Sequence, residues 1–360
     1  LCPRIIPLTN SIRRGPNNLM TKALPDGKVA DAQSMTRNER QRSVEPLVSI
    51  IIPCRYPDAE VRECVAKCLQ MDYRNIEIVV AADSANGDEV PDAKVISVGR
   101  SRPSRKRNLA ANVAAGEILA FIDADAYPEK TWLCRAVGRL GGDVGIVGGP
   151  ALTPQDSSLG QQASGIILAS PFGGGRMSFR YAVKEFKECT ELPSCNLIVS
   201  KADFDAVGGY DEELLTAEDA KLCFQIRERG KRVLYAPDVV VFHNRRSLFR
   251  PHLKQIWNYG KDKAFLFKTM PGFATPFYFI PAAFIVWLIA GLTASFLFEP
   301  FRYAYIASLA LYVAMAMLTG ILTKGSWKLR SMVVIGVVAT HLAYGLGFMA
   351  GLVQKRANGR

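Results

Sequence analysis

Histidine is scarce in this chain, with three in 360 residues. Any imidazole with a chemical role is one of those three, and His243, delivered at the end of an apolar run, is the one to follow. Eight cysteines are scattered without a Cys-x-x-Cys, which removes the usual thiolate metal and redox motifs. Cys64 and Cys68, four apart, fall on one helix face and read as core packing. Scattered thiols of this kind fit a reducing compartment. Aromatic residues make up only 9% against 49% hydrophobic, so aliphatic side chains must supply the core. No basic, apolar, then small-residue leader opens the chain; it starts with Leu, and Met20 or Met35 is the expected natural start. No internal repeat is visible. Acids are outnumbered 33 to 45, leaving a net charge of +12. That balance points to anionic partners: nucleic acid, anionic lipid or phosphorylated substrates.

What is present centres on Ile118-Leu119-Ala120-Phe121-Ile122-Asp123-Ala124-Asp125. A strand-forming run ends in two aspartates one residue apart, and Pro128 then closes it. Carboxylates at the carboxyl end of a buried strand sit where open α/β sheets bind ligands. Hard oxygen ligands suit Mg²⁺ or Mn²⁺ held together with substrate phosphates. Alone, such a pair is equally a polar turn.

Its surroundings are repeated strand–helix units. Val48–Pro53 reads as a fully buried parallel strand, 58–70 as a helix with Val61, Val65, Cys68 and Leu69 inward, and Ile76–Asp83 as a second strand ending in an acid. Residues 94–98 make a weak strand, Ser104 caps a helix running to Gly116, and 117–122 is the next strand. Residues 129–141 read as a helix and Val144–Gly149 as a strand. Residues 153–195 read as irregular, with Pro171-Phe172-Gly173-Gly174-Gly175 either a closing loop or a connector. Thr216 is the expected N-cap of a helix opening with Glu218-Asp219. Two short strands follow, and the second leads into His243. This alternation implies a mostly parallel sheet covered on both faces.

From Arg245 the character changes. Residues 245–275 carry Arg245, Arg246, Arg250, Lys254, Lys261, Lys263 and Lys268 interleaved with Trp257, Tyr259 and other apolar residues, a pattern suited to an anionic membrane surface. Then come 276–298 and 303–322 without a charge and 331–353 with only His341, each long enough for a span of about 20 residues. Three transmembrane helices are expected, the first two joined by the short Glu299–Arg302 link. Lys324, Lys328 and Arg330 place the second link, and with it residues 47–244, on the inside. Lys355, Arg356 and Arg360 in the 354–360 tail oppose that arrangement. Because the cations cluster beside these runs and not in a recognition module, nucleic acid is not an expected partner.

Taken in order, Val48–Pro53, Ile78–Asp83, Arg107-Asn108, Asp123-Ala124-Asp125, Gly208-Gly209-Tyr210-Asp211 and Glu218-Asp219 resemble the motif series of family 2 inverting glycosyltransferases. The resemblance covers roughly 47–265, and Ser170-Pro171-Phe172-Gly173 with Tyr259-Gly260-Lys261 is similar to the succinoglycan-type glucosyltransferases. It implies an α/β domain of the GT-A fold over 47–244, after a loose arm at 1–46. It implies a nucleoside-diphosphate sugar donor bound at Pro53, Asp83, Arg107 and Asp123. Mg²⁺ or Mn²⁺ is expected on Asp125 with Asp123 and His243, and Asp219 is expected as the general base. Glu218, Arg245, Arg246, Trp257, Tyr259 and Lys261 are left to the acceptor or the membrane interface. An Asp base implies a hydroxyl acceptor, expected to be a lipid-linked saccharide at the cytoplasmic face of the inner membrane, in exopolysaccharide or cell-surface glycan synthesis. There are two departures: Ala82 stands where the family often has a first acid, and the Gln-x-x-Arg-Trp of processive synthases is absent. Two alternatives stay open, a polyprenyl-phosphate glycosyltransferase and a membrane scaffold with a degenerate transferase domain.

Overall fold

The computed structural model describes residues 45–84, 89–214, 216–270, 272–273 and 275–354. The expected arm lies almost wholly outside the described residues, as do Met20, Met35, Lys355, Arg356 and Arg360.

The β-branched run Val48–Pro53 forms β1 and is buried throughout. It pairs in parallel with β2 (Ile76–Ala82) on one side and β4 (Ile118–Phe121) on the other, and β3 (Lys94–Ser97) extends the parallel edge. Beyond β4 the direction changes. β9 (Leu197–Ser200) runs antiparallel to both β4 and β6 (Val144–Gly148), which in turn pairs in parallel with β10 (Arg232–Tyr235). The two-residue β8 (Lys187–Glu188) closes an eight-stranded sheet of order β3-β2-β1-β4-β9-β6-β10-β8. Alternate residues face opposite sides of the sheet. Ile50 and Ile52 therefore enter one core with Val80 and Ala120, while Ile51 enters the other with Val79, Leu119 and Phe121. Helices α1 (Ala59–Leu69) and α2 (Pro103–Val113) cover the parallel half.

A second sheet orders β5 (Ala126–Pro128), β11 (Val241–His243) and β7 (Ala151–Leu152). It folds the chain after Asp125 back against the chain that ends at His243.

Several local expectations are corrected. Helix α2 starts at Pro103 and ends at Val113, with Arg102 in the capping position; Ser104 is buried and caps nothing. Pro at the first helical position sets the start. The 129–141 helix shrinks to α3 (Trp132–Val137). The irregular stretch contains an 11-residue helix, α4 (Leu159–Ala169), closed by a capping box between Ser158 and Gln161; the short α5 (Lys201–Ala206) follows β9. Thr216 does not cap α6 (Glu218–Glu228), whose N-cap is Ala217 in the left-handed region; the Thr216 hydroxyl lies 2.7 Å from Asp262 instead.

Helix α7 (Arg250–Thr269) follows, and then three helices long and apolar enough to cross a membrane: α8 (Ile280–Leu297), α9 (Glu299–Leu322) and α10 (Trp327–Val353). The expected link at 299–302 is already helix, because Glu299 and Pro300 suit a first turn. Helices α8 and α9 keep most of their apolar surface exposed, including Ile289, Phe296, Leu311 and Ile321. Helix α10 differs. It packs on α4 and Leu248 through Leu329, Val333 and Val337, and along α7 through glycines. A Cβ at Gly347 would stand 2.2 Å from the Trp257 carbonyl oxygen, and one at Gly260 2.3 Å from that of Tyr344. Small residues thus let two helix backbones touch, as in GxxxG pairs.

Candidate active site

The carboxyl ends of β1, β2 and β4 lie side by side, and the first candidate residues sit there. Pro53 ends β1 opposite Ala81. Asp83 follows β2 and accepts from the Ser101 amide at 3.4 Å. It also pairs with Lys106 Nζ at 2.6 Å. Burial raises the Asp83 carboxyl, but Lys106, as bond donor and as charge, more than offsets this and holds it below the usual range.

Asp123 and Asp125 follow β4. The antiparallel pairing of β5 and β11 sets His243 opposite Ala126, and the Asn244 amide donates to the Asp125 carbonyl at 2.9 Å. This register brings the imidazole to the two acids: His243 Nε2 is 3.1 Å from Asp125 Oδ1. One ligand atom from each of Asp123, Asp125 and His243 falls within 4.8 Å of the others. Two carboxylates and one imidazole are a donor set that Mg²⁺ and Mn²⁺ accept, so the residues fit a divalent cation. On the far side of the ring, Arg245 Nη1 is 3.0 Å from His243 Nδ1. Burial lowers the imidazole and the Asp125 carboxylate raises it; the rise wins.

Arg107 joins this cluster to the next motif. It is 3% exposed, and its guanidinium spans Asp123 at 2.5 Å and Glu218 at 2.9 Å. Its neighbour Asn108 donates to the Tyr210 carbonyl at 2.8 Å and accepts from the Tyr210 amide at 2.9 Å. That clasp holds the turn at Gly208-Gly209, where both φ angles are near +75° (+78° and +72°), a region glycine enters freely. Motifs about a hundred residues apart thus meet on one helix. Burial pushes Glu218 up to about 7, the adjacent Asp219 adds to the rise, and Arg107 opposes it.

Asp219 sits in the first turn of α6. Its Oδ2 accepts from Arg180 Nη2 at 3.0 Å. Arg180 also reaches Glu191 at 3.6 Å, and Glu191 pairs with the buried Lys263. Nothing in the sequence pointed to Arg180 or Glu191, which lie in the stretch read as irregular. Lys263 counted as part of a surface run, yet it is buried because Glu191 is there to meet it. Asp219, Arg180, Glu191, Lys263 and Tyr259 line one end of a cavity of about 240 Å³. The rest of the lining is largely apolar: Phe172 and Phe277, Ile280 and Pro281 of α8, and Tyr344 of α10, with Arg176, Thr340 and His341 among them.

The remaining interface candidates separate. Arg246 and Trp257 are exposed, the latter at 38%, and Lys261 is half-buried. Tyr259 turns into the cavity. Arg245 is corrected most: it is buried, donates to the Ala151 carbonyl and stacks 4.8 Å from the Tyr181 ring centre. The short hop from β11 to α7 leaves its side chain on the inside of the turn.

Comparisons with known proteins bear on this geometry. Residues 49–207 match the model for glycosyl transferase family 2. The pre-mycofactocin glycosyltransferase of Mycobacterium tuberculosis is 24% identical over 251 residues, 67% of this chain and 52% of that protein. The succinoglycan biosynthesis protein ExoA of Rhizobium meliloti is 25% identical over 245 residues, 62% of this chain and 72% of that protein. The chain thus spans about half the length of the mycobacterial relative. Among solved structures, the mannosyltransferase PcManGT of Pyrobaculum calidifontis, in complex with GDP-Man and Mn²⁺, superposes with a TM-score of 0.51 at 19% identity, covering 84% of this chain and 88% of that one. Residues 49–207, with the two-aspartate motif closing β4, thus match glycosyl transferase family 2, and the domain has the GT-A fold.

Proposed function

We propose that this domain transfers a sugar from a nucleoside-diphosphate sugar to a hydroxyl of a lipid-linked saccharide, inverting the anomeric carbon. The work takes place at the cytoplasmic face of the inner membrane, in exopolysaccharide or cell-surface glycan synthesis. The observation that carries the reading is the Arg107 bridge from Asp123 to Glu218, which ties a cation-ligand cluster to the carboxylate beside it. Pro53 and Asp83 bind the nucleoside end of the donor. Asp123, Asp125 and His243 would hold a divalent cation, which would offset the charge of the departing diphosphate. Arg107 keeps Asp123 and Glu218 in register beneath the diphosphate. Asp219 takes the proton of the acceptor hydroxyl. The hydroxyl oxygen forms the new bond to the anomeric carbon from the face opposite the diphosphate. The bond from that carbon to the diphosphate oxygen breaks, and its electron pair leaves with the diphosphate.

A polyprenyl-phosphate acceptor is already ionised and needs no base, so Asp219 at the cavity end favours the hydroxyl acceptor. The scaffold reading leaves the clustering of Asp123, Asp125 and His243 without a purpose. The deciding experiment uses detergent-purified full-length protein with a panel of nucleotide sugars and Mg²⁺ or Mn²⁺. Release of nucleoside diphosphate that rises with a lipid-linked saccharide supports the reading. Release only with polyprenyl phosphate favours the second reading, and no turnover or donor binding across the panel favours the third.

A further inference from the structure

The cavity beneath Asp219 has two chemically different ends and a mouth with a charge of its own. At the inner end the ions nearly balance. Arg180 and Lys263 face Glu191 and Asp219, so a neutral polar group meets donors and acceptors there without meeting a net charge. At the mouth stands Arg176. It is exposed, its guanidinium lies 4.5 Å from the Phe277 ring centre, and among the described residues no carboxylate is within ion-pair range. Past Arg176 the wall is apolar. Phe277 and Ile280, 43% and 57% exposed, lead onto the bare face of α8.

The wall at Phe172 is fixed by α10, which lines the same cavity. His341, on α10, lies with Nε2 2.8 Å from the Phe172 carbonyl oxygen and Nδ1 2.9 Å from the Tyr312 hydroxyl. One step away on α10, Thr340 Oγ1 is 3.0 Å from His252 Nε2, whose Nδ1 is 2.7 Å from Ser164 Oγ. The apolar helices therefore hold the Pro171–Gly175 wall in place. At about 240 Å³ the space falls short of the roughly 300–1,000 Å³ of whole small-molecule sites. It suits the sugar end of a long ligand, with the rest lying outside.

We propose that this cavity is the seat of a prenyl-diphosphate-linked saccharide. Its terminal sugar reaches Asp219, its diphosphate meets Arg176, and its prenyl chain runs over Phe277 and Ile280 along α8. A guanidinium makes paired bonds to phosphate oxygens, and a chain of isoprene units gains by covering exposed apolar side chains. The proposal rests on the reading of Asp219 as the base and adds the acceptor's path and anchoring residues.

The test uses full-length protein in detergent, a panel of farnesyl-diphosphate-linked monosaccharides as probe, and nucleoside diphosphate binding as a parallel measurement. Arg176→Ala and Phe277→Ala should each weaken probe binding about tenfold, the scale of one lost charge-assisted or apolar contact. Tyr344→Trp, which fills the cavity, should weaken it further. All three should keep wild-type nucleotide affinity and melting temperature. Free monosaccharides should bind far more weakly than the linked ones. Probe binding that ignores all three substitutions overturns the proposal, as does wild-type protein that binds nucleotide but no member of the panel. Wild-type protein that binds no nucleotide sugar defeats the glycosyltransferase reading itself, whatever the probe does.

Discussion

Asp219 carries the sharpest prediction because its neighbours are known. Asp219→Asn keeps size but removes basicity, and general base catalysis typically contributes ~10²–10⁴-fold. Transfer to a hydroxyl acceptor should fall by that much in a steady-state assay, with nucleoside diphosphate affinity near wild type; loss of both together would return Asp219 to donor binding. Asp125→Asn replaces a carboxylate with a poorer ligand for a hard cation. Mn²⁺-dependent donor binding should be abolished in calorimetry while the thermal midpoint holds. These acids were legible because a strand or a helix start brackets each one, and their order along the chain is itself a signature. Arg180 and Glu191 were not. Their stretch has no apolar period, and only the fold brings them to Asp219. Asn196 was equally hidden. It accepts from Trp132 Nε1 at 2.8 Å and donates to the Pro150 and Val239 carbonyls. A single buried polar residue in an apolar context has no pattern to read, yet removing it strips the Trp132 indole N–H and the Val239 carbonyl of this bond, at about 1–3 kcal/mol each, while the Pro150 carbonyl keeps the Val241 amide.

Among the elements, the continuous aliphatic strands were readable because a strand buried on both faces needs no alternation. Helix α4 was missed because Gly160, Gly165 and three polar residues dilute its apolar stripe, although Ser158 and Gln161 stood in capping-box spacing. The glycine seam between α7 and α10 is invisible in hydropathy, since glycine scores near neutral. It should be sensitive: Gly347→Leu cannot fit against the Trp257 carbonyl. The expected result is a lower melting temperature in detergent and loss of lipid-acceptor transfer, with nucleotide binding kept. The neighbouring contact of Ser164, His252 and Thr340 adds a pH dependence. Burial lowers the His252 imidazole to about 4. The folded pKa is the depressed one, so below the ordinary value of 6.5 the unfolded chain takes up a proton that the native one refuses. Stability should then fall with acidity between about 6.5 and 4, at about 1.4 kcal/mol per pH unit. Melting curves of wild type and His252→Gln across that window should differ in slope, the variant being flatter.

At the scale of the whole molecule, the exposed apolar faces of α8 and α9 and the basic outer edge of α7 lie on one chain with the sugar-transfer domain. Arg250, Lys254 and Trp257, spaced four and three apart, are all exposed, which is one helix face. On the membrane-surface reading, Arg250→Ala with Lys254→Ala removes about 1 kcal/mol each of attraction to anionic lipid. In nanodiscs, any gain in acceptor turnover from anionic lipid should shrink in that double variant and stay unchanged in neutral lipid. The outline of this arrangement was readable from long uncharged runs and clustered cations. The docking of α10 onto α4 and α7 was not, because a run of apolar residues does not say whether lipid or protein will cover it. That docking also sets an order in time. Asp219 is made more than a hundred residues before Thr340, His341 and Tyr344, which wall the same cavity. During synthesis, at about 5–20 residues per second, the half proposed to bind nucleotide is finished first. The half proposed to meet the acceptor waits for α10 to emerge and settle. A ribosome-bound chain stalled before residue 327 should hold its donor and transfer nothing, so the protein learns to bind before it learns to build.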